Sequence, residues 1–187
     1  ESEYAVNNAT LFLFAGSSEA NATFRSAYDL SVAGFTNDAS DQVTEKATIV
    51  QEITVPSTPN NENIYALVIL NNHNLIEVSD GSATVNNQPL TAGTSNLTAF
   101  TEAIQNFSPG AAALTGAGGI FMSNAPLYNV QGGSLDPENG AASTLASIDK
   151  DKIKTTATEA ATDPAATIYV ERAVAKVTLN DNGGGTI

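Results

Sequence analysis

The chain has 187 residues, 20 acidic and 7 basic side chains, a net charge of −13, and neither cysteine nor tryptophan. This length suits one domain of ordinary size, and the 42% of hydrophobic residues can fill its core. The charge repels duplex nucleic acid and anionic membranes, and the lack of cysteine excludes disulfides, thiolate catalysis and cysteine-ligated zinc.

Thr10–Ala15 is the first clear strand. Leu11 and Leu13 point to one side and Phe12 and Phe14 to the other, so both sides require cover. Its early place makes an edge or near-edge position one option, and a buried strand covered by a helix the other. Ala20 to Ser40 is polar, with a short strand expected at Tyr28–Ala33. Ala47, Ile49, Ile53 and Val55 share a face in a strand expected over Glu45–Val55, and Pro56-Ser-Thr-Pro-Asn-Asn stops it. Ile64–Leu70 is the most apolar run and reads as a central strand ended by Asn71-Asn-His-Asn74.

One helix stands out. Ser95 or Asn96 can cap it, and Leu97, Phe100, Ile104 and Phe107 recur at helical spacing before Ser108-Pro-Gly110. Gly116–Gly119 reads as loop. Ile120–Met122 and Leu127–Val130 read as short strands, Gly132–Ala142 as a loop around Asp-Pro-Glu-Asn-Gly, and Ala146–Thr155 and Thr167–Leu179 as strands. Within the last, Ala173, Ala175, Val177 and Leu179 share a face, whereas Ile168 and Val170 lie on the opposite parity. A bulge or bend is therefore expected near Glu171-Arg172. Short spacing, polar turns and no βαβ pattern favour an all-β sandwich with one or two short helices over residues 1–179. Residues 180–187, Asn-Asp-Asn-Gly-Gly-Gly-Thr-Ile, read as a linker toward a further domain.

Chemistry-bearing residues are sparse. His73 is the lone histidine, set among asparagines past a strand, and reads as an exposed loop residue rather than part of a triad. Asp149 and Asp151, expected on one strand face with Lys150 and Lys152 between them, form a carboxylate pair of the kind glycosidases use, but read more simply as a charged strand edge. Asp38, Asp41 and Glu45 lack the order of a calcium loop, and Gly116–Gly119 lacks the lysine of a phosphate loop. Asn-x-Ser/Thr triplets at Asn8, Asn21, Asn96 and Asn106 are ordinary in a chain this rich in Asn and Thr. No catalytic, cofactor or metal site is expected, and the chain reads as a non-enzyme. No stretch is apolar and long enough to span a membrane, and export would require a leader ahead of Glu1.

Ile168–Leu179, with its Glu-Arg-Ala-Val-Ala-Lys core, resembles the strand that ends the N-terminal domain of the Bacteroidales fimbrillins, subunits of protease-activated surface fimbriae. Other stations agree in order: Thr10–Ala15, Glu52-Ile-Thr-Val55, Ile64–Leu70 with Asn71-Asn72, the helix Leu97–Gln105, and Phe121-Met-Ser-Asn124. The resemblance implies a transthyretin-like Greek-key β-sandwich and a precursor exported as a lipoprotein to the outer-membrane surface. It implies a fimbrial subunit that polymerises by donor-strand exchange once a protease removes an N-terminal strand. Other subunits of the fimbria are the implied partners. Taken with the strand patterning, it places Leu11, Leu13, Val174, Ala175 and Val177 in or beside the groove that receives the donor strand. The rivals are a minor tip or accessory adhesin that binds a host or bacterial surface receptor, and an extracellular carbohydrate-binding or hydrolytic module.

Overall fold

The computed structural model describes residues 5–37, 45–58, 61–105, 119–124, 127–131 and 134–172. The described strands are β1 (Ala9–Gly16), β2 (Thr23–Leu30), β3 (Thr36–Asn37), β4 (Glu45–Lys46), β5 (Asn63–Leu70), β6 (Ile76–Ser79), β7 (Ser82–Val85), β8 (Gln88–Pro89), β9 (Met122–Asn124), β10 (Leu127–Gln131), β11 (Ser134–Ser143), β12 (Ala146–Ile148) and β13 (Val170–Arg172). Two helices, α1 (Leu97–Gln105) and α2 (Ala157–Thr162), complete the described elements apart from short 3₁₀ turns. The domain is all-β, and every described strand pairing is antiparallel.

Six strands form the main sheet. β1 lies inside it, paired to β2 on one side and β5 on the other, so it is not an edge strand. Its two-sided apolar sequence is explained by that place. Phe12 and Phe14 enter the main core, where the Phe12 and Phe100 rings meet edge to face at 5.0 Å. The second layer is the meander β6–β7–β8 with α1, which brings Ile76, Ala83, Val85, Leu90, Phe100 and Ala103 against β1 and β5. Asn96 caps α1 by accepting the Ala99 N–H at 2.9 Å, as its sequence suggested.

β2 carries a bulge. Leu13 faces Ser26 but Phe14 faces Phe24, which leaves Arg25 extra. The bulge resets parity, so Phe24 and Ala27 both reach the core despite their odd spacing. Arg25 reaches out to Glu62 at 3.1 Å.

The outer edge of β5 has two partners. β12 pairs with Ile64–Ala66, and β9 pairs with Ile69 and Leu70. Both run in the same direction, so they are two halves of one strand. The chain leaves the sheet after Asn124 and returns at Ala146, and the hairpin β10–β11 occupies the interval. Between the halves the Asn124 side chain acts as a peptide unit. Its oxygen accepts the Val68 N–H at 2.8 Å, and its Nδ2 donates to the Ala66 carbonyl at 2.9 Å and the Thr144 carbonyl at 3.0 Å. Glu19 holds the return by accepting the Thr144 and Leu145 N–H groups at 2.7 and 3.0 Å.

Several expected elements differ. The expected loop over Gly132–Ala142 is mostly strand, β11. Its turn-forming residues Pro137 to Gly140 find no partner in the ladder, because the register steps from Asp136 to Ala141 while β10 moves one residue. The expected strand Ala146–Thr155 stops at Ile148, and a 3₁₀ turn follows over Lys150–Lys152. The Asp149 carboxylate accepts the Asp151 N–H at 3.1 Å and caps that turn, so the two carboxylates do not share a strand face. The strand expected over Glu45–Val55 survives as β4 alone. Residues 47–54 keep alternating burial, with Ala47, Ile49 and Ile53 half-buried, but form no ladder. Alternation reported burial there, and pairing is a separate matter.

Candidate functional site

Alternation gives the main sheet a second apolar face, opposite the core. Ala9, Val68, Leu70 and Met122 are buried on it, and Val6, Leu11, Leu30, Val32, Ile168 and Val170 pack against them half-buried. Leu11 stands between Tyr28 and Val68, and Leu13 between Ser26 and Ala66. The two leucines differ sharply in environment: Leu13 is 0% exposed, whereas Leu11 keeps partial access to solvent. Val174, Ala175 and Val177 lie outside the described residues, as do the expected linker and Leu179. The described chain ends on this face with β13, where Val170 to Arg172 pair with β9 in regular register.

One end of the face is closed by asparagines. β5 ends at Asn71, whose φ of 54° is a left-handed conformation that asparagine tolerates. The buried Asn71 oxygen accepts the Asn7 N–H at 2.8 Å. Its Nδ2 donates to the carbonyls of Ala5 and Ile120, each at 2.9 Å. The Asn72 N–H donates to Asn8 Oδ1 at 2.9 Å. Three chain segments thus meet at the end of β5, which sets Val6 and Met122 beside Leu70. His73 is half-buried here and its Nε2 lies 2.8 Å from the Gly119 carbonyl, so the imidazole donates to the main chain. It braces the loop rather than standing free, and its partner, a main-chain carbonyl, is neither acid nor nucleophile.

Gly119 has φ +84°, and a Cβ there would strike the Asn71 amide nitrogen and approach the Ala5 oxygen to 2.8 Å. Gly119→Ala is expected to destabilise the domain by about 2 kcal/mol, combining backbone strain with a broken brace. Urea unfolding monitored by circular dichroism checks this, and an unchanged midpoint would contradict the packing described.

The remaining candidates do not assemble. Asp38 and Asp41 lie outside the described residues. Among the described residues no group of three or more His, Asp or Glu side chains is placed to hold a metal ion, and no helix is long and apolar enough to cross a membrane. Asp163 binds Lys152 at 3.0 Å and Lys154 at 3.2 Å. The Lys152 hydrogen bond, followed by that from Lys154, holds the Asp163 carboxyl below its ordinary value, and Asp163 in turn raises Lys152. These groups tie the segment after β12 to the end of α2.

Sequence reading missed the amide plugs and the β6–β7–β8 meander. The meander did leave a signal. Asp80-Gly81 and Asn86-Asn87 all have positive φ and connect short alternating runs, as tight hairpin turns require.

The arrangement defines an all-β, antiparallel domain whose central sheet is apolar on both faces. Comparison with protein-family models, with curated proteins and with solved structures finds no match.

Proposed function

We propose that this domain is a structural subunit of a bacterial surface fimbria, carried to the outside of the cell and polymerised by donor-strand exchange. In this reading its sandwich has the transthyretin-like Greek-key connectivity of the fimbrillins, and proteolytic removal of an N-terminal strand opens it for assembly. The observation that supports the reading is the second apolar face, where Leu11, Ile168 and Val170 remain half-buried beside buried Val68 and Met122. A strand from a neighbouring subunit gains main-chain hydrogen bonds at a sheet edge and side-chain burial on such a face. Both edges of β1 are occupied, so the incoming strand pairs with an outer strand of the main sheet and not with β1 itself.

Electron microscopy of the precursor before and after proteolytic removal of its N-terminal strand tests the proposal. Filaments that appear only after cleavage are the expected result. Monomers under both conditions would refute polymerisation by strand removal and favour an accessory adhesin.

A further inference from the structure

A shallow groove of about 340 Å³ runs along the outer edge of β2. Three separate pieces of chain build it: β2, the β6–β7 turn, and the extended segment after β4. Tyr28, Asp29, Gln51, Thr54, Val78 and Asp80 line it. Two bonds fix the walls. The Ala27 N–H donates to the Gly81 carbonyl at 2.9 Å, and the Thr54 N–H donates to the Tyr28 hydroxyl at 2.9 Å. The groove is therefore shaped by the fold and not by loose side chains.

Its chemistry is selective. Asp29 and Asp80 bring two exposed carboxylates from different elements; the described ion pairs take up neither, and Asp29 Oδ1 accepts only a long bond from the Thr10 hydroxyl at 3.4 Å, which leaves its second oxygen to the groove. Gln51 donates its amide N–H to the Glu52 carbonyl at 2.8 Å, so its own oxygen is a further acceptor. The phenol of Tyr28 adds a ring and Val78 an aliphatic wall. Acceptors interleaved with apolar surface suit a ligand with several hydroxyl donors and a C–H face. The carboxylates, in a chain of net charge −13, reject phosphates, sulfates and acidic sugars. The volume sits at the small end of ligand sites, enough for one ring rather than a chain of them.

We propose that this groove binds a neutral sugar residue, with Asp29, Asp80 and Gln51 accepting from its hydroxyls and Tyr28 and Val78 against its apolar face. The inference does not depend on polymerisation, and its test uses the domain in solution.

The test is a two-dimensional amide NMR titration with methyl glycosides of glucose, galactose, mannose and N-acetylgalactosamine. At least one is expected to shift the amides of Gln51, Thr54 and Gly81 saturably below about 50 mM, in the weak range of a shallow site. The paired change Asp29→Asn and Asp80→Asn, at exposed positions, should weaken that binding about tenfold through loss of charge-assisted acceptors. Gln51→Ala, in the extended segment, supplies a second variant, and peak dispersion reports that each is folded. No shift at these amides with any glycoside overturns the proposal, as does binding that both variants leave intact. Tighter binding of argininamide than of every glycoside would also overturn it, by making the groove a receptor for a cationic side chain.

Discussion

Asn124→Leu is expected to destabilise the domain by about 4 kcal/mol, enough to leave a marginal protein largely unfolded. Leucine has the branched outline of asparagine, with methyl groups in place of the amide oxygen and nitrogen, but no hydrogen-bonding group. Asn124 is 4% exposed, and its amide meets three main-chain groups: the Val68 N–H and the carbonyls of Ala66 and Thr144. The Val68 N–H and the Ala66 carbonyl would be left buried without a partner and the Thr144 carbonyl half-buried, and an unmade buried bond costs about 1–3 kcal/mol. Asn124→Asp separates the contributions, because it keeps the acceptor for Val68 and loses the donor to Ala66 and Thr144. Urea midpoints of both variants check the account. A loss under about 1 kcal/mol for the leucine variant would mean that water or a shifted strand replaces the amide.

Leu13→Asp and Leu11→Asp, two residues apart on one strand face, should behave in opposite ways. Leu13 is fully buried between Ala66 and Ser26, and a carboxylate there is stripped of the water that would solvate it. The expected result is loss of the folded state, a cost of about 4 kcal/mol or more. Leu11 is half-buried, and an aspartate there can turn outward, so the domain should keep its fold with a loss of about 1–2 kcal/mol. If the second face receives a strand from another subunit, Leu11→Asp should abolish filaments while the monomer remains dispersed in its NMR spectrum. Filaments of unchanged length from folded Leu11→Asp would remove Leu11 from the assembly surface. Folded Leu13→Asp would contradict the burial of β1 itself.

What the sequence disclosed follows from which forces leave a local trace. The runs Thr10–Ala15 and Ile64–Leu70 are apolar on both parities because both strands are interior, and they were legible as strands for that reason. The helix was legible because Leu97, Phe100 and Ile104 keep helical spacing while Asn96 caps it. Position in the sheet was not legible, since the neighbours of β1 come from Thr23–Leu30 and Asn63–Leu70 and nothing in Thr10–Ala15 names them. Residues 47–54 show the converse, a strand-like alternation with no strand beside it. The roles of Asn71 and Asn124 were hidden most completely. Asparagine in this chain usually marks a turn, and only the burial of these amides among main-chain groups distinguishes them. Leu11 and Leu13 share one strand parity but lie at unequal depth, and Ile168 and Val170 joined Leu11 on the second face from a segment whose parity pointed elsewhere.

The divided strand on the edge of β5 has a consequence for how this chain can change. Its two halves are aligned by β5, by one amide and by Glu19, and not by their connection to each other. Residues between Asn124 and Thr144 can therefore lengthen, shorten or diverge in sequence while the ladder on either side keeps its register. Sequence novelty can accumulate there without passing into the frame that supports it.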